Sequence, residues 1–296
     1  MSLRKFSHDY LEHVKTQCAP NTARTYELLL ENHILPKLGD ELLRRLNTGI
    51  IQKYADSRMS QSSASTVMQE LQILSGLFRE AMRRELVDKN PVSLVKMPRI
   101  ENRIVRYLDA DEEKRLLDEA HEPLRSAILV AIHSGLREEE EAALEWVDVR
   151  SPEGILVVRK TKSKRDRVLP MNATLKAVLA GVPRFPRSTH VFTNPDTRDR
   201  YDRFNNGAWR KLLVRARIEN FRWHDLRHTF GSRLAQAGRS ILEIKELMGH
   251  SDVTVTMRYA HLAPNNLRDA VLALDKKSCQ TSCQQASLET AEAVSR

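Results

Sequence analysis

Gly249-His250-Ser251-Asp252-Val253-Thr254-Val255-Thr256-Met257-Arg258-Tyr259-Ala260-His261 is the stretch on which the reading of this chain turns. Gly249 can end a preceding helix, a histidine follows it, and Tyr259 stands nine residues after that histidine. Upstream lie His224-Asp225-Leu226-Arg227-His228, then Lys162 within Thr161-Lys162-Ser163-Lys164-Arg165-Asp166-Arg167-Val168-Leu169-Pro170, then Arg137 within Ser134-Gly135-Leu136-Arg137. Arginine, lysine, histidine and tyrosine thus come from separate segments, as a pocket assembled by folding requires.

Taken singly, each residue has an ordinary reading. Arg137 can be a solvated helix end, Lys162 part of a solvated hairpin, His250 a cap or core residue, and Tyr259 a half-buried tyrosine. Together they suit one chemistry. Cleaving a phosphodiester needs an in-line nucleophile, cations on the equatorial oxygens and a proton for the leaving oxygen. A phenol is a weak nucleophile, with a usual pKa near 10, so fixed positive charge beside it favours attack. Arginine stays charged and presents a fork that matches two phosphate oxygens. On a helix, His224 and Arg227 at i and i+3 share a face and can address one phosphate. The i, i+4 pair His224 and His228 imitates a zinc helix. Asp225 is shorter than the usual glutamate base, Arg227 would set a positive charge beside the metal, and no third ligand is evident, so no metal is expected. His228 is read as packed or hydrogen-bonded rather than catalytic.

In their order and spacing these boxes resemble the tyrosine recombinases (phage-type integrases), over roughly Lys5 to Asp275. The resemblance implies that Arg137 and Arg227 clamp the phosphate. His224 handles protons and His250 donates to the phosphate. Lys162, eight residues before Pro170, is the general acid to the departing 5′-oxygen, and Tyr259 is the nucleophile. Glu140 supports the pocket from behind. Lys164, Arg165 and Arg167, with Arg99 and Arg103, are expected on DNA backbone phosphates. Glu141 departs from the family pattern, in which that position is apolar, and this puts the local helix packing in question. The implied reaction is site-specific DNA recombination (integration, excision or resolution) through a 3′-phosphotyrosyl intermediate and a Holliday junction, without metal, nucleotide or other cofactor. Implied partners are double-stranded DNA, three further copies of the chain forming a homo-tetramer on two duplexes, and an accessory DNA-bending protein. Two alternatives stay open: a type IB topoisomerase-like enzyme that reseals the same strand, and a non-catalytic DNA-binding protein. The short N-terminal region leans against recognition of distant arm sites.

Composition agrees with a polyanion partner. Lysine and arginine number 48 against 39 acidic residues, a formal charge of +9, and such a balance also occurs in ribosome-binding and membrane-surface proteins. Aromatics make up 5%, which favours gripping a duplex backbone over stacking many unpaired bases. Cys18, Cys279 and Cys283 form no framework or zinc ribbon. No apolar run reaches membrane-spanning length and no signal-peptide pattern opens the chain. With these features a soluble, intracellular protein is expected, and the resemblance implies a cytoplasmic, nucleoid-associated one of bacterial or phage origin.

At 296 residues two domains are expected. The resemblance implies a fold class mainly α with a small β-sheet: an N-terminal four-helix core-binding (SAM-like) domain plus an α+β tyrosine recombinase catalytic domain. Residues 1–88 hold four amphipathic helices. Phe6, Tyr10, Leu11 and Val14 form the first apolar stripe, and Tyr26, Leu29, Leu30 and Ile34 the second, ending at Pro36 and Gly39. The third helix runs from Thr48 to Met59, and Val67, Leu71, Leu74, Phe78 and Met82 mark the fourth. Residues 89–107 read as a basic linker, either a solvated hinge or a strap along phosphates. Residues 108–275 form the catalytic domain. Asp109 and Glu112 make a capping box, a buried helix runs from Leu124 to His133, and Ile155–Val158 and Arg167–Pro170 pair as a hairpin. Val191-Phe192-Thr193 is either a strand or a buried extended piece. Residues 276–296 form a polar tail, and the segment from Leu267 to Leu274 and beyond is expected to dock on a neighbouring copy.

Overall fold

The computed structural model describes residues 1–99, 105–159, 166–186, 188–194, 197, 199–264 and 271. The chain divides into two compact units, 1–102 and 103–296.

In the first unit, α1 (Leu3–Gln17), α2 (Pro20–Leu29), α3 (Leu35–Leu38), α4 (Thr48–Met59) and α5 (Ala64–Arg83) surround a core built from the apolar stripes. Ser2, Asn47 and Ser63 accept a backbone N–H in the first turns of α1, α4 and α5, which fixes where those helices begin. The second expected helix does not stop at Pro36. A π-helical turn, Leu30–Ile34, joins α2 to α3, so Pro36 enters in the first turn of a new segment, where its missing N–H costs least, and Gly39 caps the end. Met82 also differs from expectation, being 39% exposed at the edge of the α5 stripe. Inside the bundle, Arg58 of α4 pairs with Glu70 of α5 at 2.8 Å, and Tyr54 donates to the same carboxylate at 2.8 Å.

The linker is shorter than residues 89–107. Val92 and Val95 are buried in the first unit's core, and Thr48 and Gln52 hydrogen-bond the backbone of Pro91 and Lys96. At the other end, Val105 and Leu108 are buried in the second unit, and Arg106 pairs with Glu112 and lies over Phe221. Apolar side chains every few residues anchor both ends, while Lys89, Lys96 and Arg99 stay exposed.

The second unit contains α6 (Ala110–Glu119), α7 (Leu124–Ser134), α8 (Glu138–Ala142), a sheet of β1 (Val149–Arg150), β2 (Ile155–Val158) and β3 (Arg167–Pro170), then α9 (Ala173–Gly181), α10 (Gly207–Arg215), α11 (Trp223–Gln236), α12 (Ile241–Met248) and α13 (Val253–Thr256). The sheet is antiparallel in the order β1-β2-β3, with Leu156 opposite Leu169 and Val158 opposite Arg167. β1 is too short to show a period in sequence. The Asp109–Glu112 capping box forms as expected. The core lies between α7, α9, α11 and the inner face of the sheet, and is closed by Phe192, Phe204, Trp209 and Trp223. Val191–Thr193 is a buried extended piece held by isolated bridges from His190 to Glu145 and from Thr193 to Arg200, outside the sheet. Glu141 is fully buried; its carboxyl accepts from the Trp223 indole at 3.1 Å, and burial pushes its pKa well above the usual carboxylate range. No helix among the described residues is long and apolar enough to cross a membrane.

Candidate active site

Two helix ends and one strand build the site. α7 ends at Gly135, and the chain turns so that Arg137 becomes the N-cap of α8. Glu140, three residues on, accepts from the Arg137 amide at 3.0 Å and from its guanidinium at 2.7 Å. α12 ends at Gly249, which adopts φ +62°, a left-handed cap that glycine reaches without strain. The carbonyls freed at that end are taken by arginines. Arg137 donates to the Gly249 carbonyl at 3.1 Å, Arg167 to that of Met248 at 2.9 Å, and Arg227 to those of Met248 and Gly135. Arg167 also pairs with Glu140 at 3.0 Å. Two guanidinium groups therefore pair with the Glu140 carboxylate, while the third, Arg227, bonds only carbonyls and feels that carboxylate through space.

That imbalance shapes the electrostatics. Burial alone would raise the Glu140 carboxyl, but the charges of Arg167 and Arg137 hold it below the ordinary value. Arg227 is 2% exposed, and burial with the neighbouring Arg137 and Arg167 lowers its pKa to about 9, so it stays charged at neutral pH. An arriving phosphate would relieve this repulsion, which is how a pre-formed anion site acts.

Tyr259 lies in a 3₁₀ turn (Met257–Leu262) after α13, with no exposed surface, packed among Val105, Ala235, Ile244 and Met248. Its ring sits against Gly231 of α11, where a Cβ would come within 2.8 Å of Cζ. Its hydroxyl is 2.7 Å from Nδ1 of His228. Burial raises the phenol to about 12, opposed by the charges of Arg227 and Arg258, while burial and His224 lower His228 to about 4. A protonated phenol thus faces a neutral imidazole, which can accept its hydrogen bond. His224 stacks edge-on against His228, with centroids 4.9 Å apart. His250 is lowered to about 3 by burial and by Arg227 and Arg137, and its Nδ1 lies 2.8 Å from the Thr256 hydroxyl. With Thr256 donating, the proton of neutral His250 resides on Nε2, which then serves as a donor.

Of the sequence-derived residues, Arg137, Glu140, Arg227, His250 and Tyr259 come together in this unit, with His224 on the same turn of α11 as Arg227. Lys162, Lys164, Arg165 and Arg103 lie outside the described residues, as do residues 276–296; Arg99 is exposed. Arg167 differs from its expected place on backbone phosphate. Its side chain is 11% exposed and is spent on Glu140 and Met248. Strand alternation carried the signal, because Arg167 shares a face with buried Leu169 while Val168 points outward. Both Asp225 oxygens accept from Arg222, and Nδ1 of His228 lies against the phenol hydroxyl.

Residues 106–266 match the family model described as the phage integrase family, and residues 2–59 match the phage integrase N-terminal SAM-like domain. The chain belongs to the phage integrase family. An integrase of Salmonella phage P22 is 34% identical over 229 residues, 72% of this chain and 58% of that protein, so the matched stretch spans less than two thirds of that relative. A tyrosine recombinase of Thermosipho africanus is 26% identical over 282 residues, covering 90% of this chain and 97% of that one. Among solved structures, the Tn1549 transposon integrase in complex with a circular intermediate DNA superposes with a TM-score of 0.77 at 19% identity, over 93% of this chain and 99% of that chain. A λ integrase tetramer bound to a Holliday junction gives 0.72 at 19% identity, over 86% and 79%. At that identity these two show a shared fold.

Proposed function

We propose that this phage integrase family member is a site-specific DNA recombinase that breaks and rejoins duplex DNA through Tyr259. The phenolic oxygen attacks the scissile phosphorus, the bond to the 5′-oxygen breaks, and the phosphate remains esterified to Tyr259 at its 3′ side. Arg137 and Arg227 hold the non-bridging oxygens, with His250 Nε2 as a further donor. Neutral His228, 2.7 Å from the attacking hydroxyl, takes the phenolic proton as the new P–O bond forms. Lys162 supplies the proton to the 5′-oxygen, and His224 handles protons at the mouth of the site. Attack by a 5′-hydroxyl of a partner duplex reverses the first step and releases the tyrosine. Four copies on two duplexes, with a Holliday junction between the two exchanges, complete the cycle as integration, excision or resolution. Lys164, Arg165, Arg99 and Arg103 contact backbone phosphates. The substrate sets the location, the bacterial or phage chromosome in the cytoplasm.

The observation that carries this reading is the fully buried phenol, with its hydroxyl 2.7 Å from His228, in the same unit as a buried Arg227 flanked by the half-buried Arg137 and Arg167. The test uses duplexes from a randomised pool, trapped as covalent adducts by the unsubstituted protein. Tyr259→Phe is expected to bind the trapped duplexes and form no adduct on denaturing gels. An adduct that persists in that variant moves the nucleophile elsewhere. Strand exchange between two labelled duplexes separates recombination from simple resealing. Affinity should fall steeply with salt, as phosphate contacts release counterions.

A further inference from the structure

We infer that Arg167 is a positioning residue of the active site: it locks the end of α12 to Glu140 and so sets the geometry of Arg137, Arg227 and His250. The inference rests on the recombinase reading above and extends it to a residue that sequence reasoning placed on the DNA backbone.

The argument begins with strand geometry. β3 alternates, so Arg167 enters the unit on the side of Leu169, opposite Val158 of β2. Its guanidinium then spans two segments far apart in the chain. One nitrogen pairs with the Glu140 carboxylate at 3.0 Å, and the other donates to the Met248 carbonyl at 2.9 Å. Each of these partners is shared with a clamp residue. Glu140 holds the amide and guanidinium of Arg137, and the Met248 carbonyl also accepts from Arg227. The Arg167 side chain fills the space where a Cβ on residue 249 would stand, directly before His250. Gly249 and Arg167 therefore fit as a pair. Only a planar fork can reach both partners at once, and an ammonium is a point donor. Losing Arg167 would free the Glu140 carboxylate to rotate with Arg137, release one of two donors on the Met248 carbonyl, and open a gap beside the Gly249 turn. A catalytic group misplaced by about 1 Å costs on the order of 10²-fold in rate.

The experiment compares Arg167→Met, Arg167→Lys, Glu140→Gln and the Arg167→Met/Glu140→Gln double variant. The probes are nicked duplexes recovered from the randomised pool as covalent adducts of the unsubstituted protein. Single-turnover adduct formation is read at saturating duplex, and affinity is read across a salt series. The positioning role gives a saturating rate about 10²-fold lower in Arg167→Met, partial recovery in Arg167→Lys, and unchanged affinity and salt slope. The double variant is then no slower than the slower single one, because both substitutions break one unit. A weakened affinity with a smaller salt slope and an intact saturating rate overturns the inference and returns Arg167 to the DNA backbone. Rates that multiply in the double variant overturn it as well. If Arg167→Met melts at a lower temperature, Arg167→Lys, which keeps the charge and bulk, decides by the same two readouts. If the unsubstituted protein traps no duplex at all, the recombinase reading itself fails, and this inference falls with it.

Discussion

Gly231→Ala separates packing from chemistry in this site. Gly231 lies inside α11, and a Cβ there would stand 2.8 Å from Cζ of Tyr259, 3.1 Å from its Cε1 and 2.8 Å from Sδ of Met248. Carbon atoms rest about 3.5–4.0 Å apart, so the ring must retreat by roughly 1 Å, since the thioether can swing away and the aromatic ring cannot. Alanine gains about 1 kcal/mol in helix propensity over glycine, while overpacking costs about 1–3 kcal/mol. The two nearly offset, and the net loss of stability is expected to be no more than about 2 kcal/mol. The catalytic effect is not offset. Cζ carries the hydroxyl, and moving it breaks the 2.7 Å contact with His228 and the alignment set by the turn. A displacement of about 1 Å should slow adduct formation on the order of 10²-fold. Denaturant unfolding and single-turnover trapping on a nicked duplex measure the two quantities side by side. A parental or faster adduct rate in a folded Gly231→Ala protein would refute the reasoning, because the docked phenol would then not be the attacking one.

Arg227→Ala removes the donors to the Gly135 and Met248 carbonyls along with a clamp charge, and should cost about 10²–10³-fold in cleavage at saturating duplex; near-parental rates would count against the clamp. Arg58→Ala leaves Glu70 buried without its cation and should destabilise the protein by about 3–5 kcal/mol in denaturant titration, whereas a small change would mean the first unit relaxes to admit water. Glu141 has a folded-state pKa above its unfolded value, so the stability it contributes is full below about pH 4.3 and is lost as pH rises toward the folded value. Glu141→Gln should therefore gain relative to the parent between pH 5 and pH 8, and an equal difference at both pH values would show that the buried carboxyl is already ionised.

The sequence by itself determined the family and the main amphipathic helices. Helical spacing placed Phe6, Tyr10, Leu11 and Val14, and later Val67, Leu71, Leu74 and Phe78, on buried faces, because a 3.6-residue period depends only on local geometry. Caps such as Asp109 with Glu112 and the glycine at 249 were legible for the same reason. Short boxes in order were enough to name candidate residues. Only the tertiary structure decided which side chains share a partner. That Arg167 turns inward to Glu140 and Met248, that His228 rather than His224 meets the Tyr259 hydroxyl, and that Glu141 lies beneath Trp223 all depend on contacts between segments far apart in the chain. A guanidinium on a strand can face solvent or core with the same local sequence. What selects the core here is one helix-end carbonyl, that of Met248, and the Glu140 carboxylate, brought to it by helices whose ends meet only when the chain is folded.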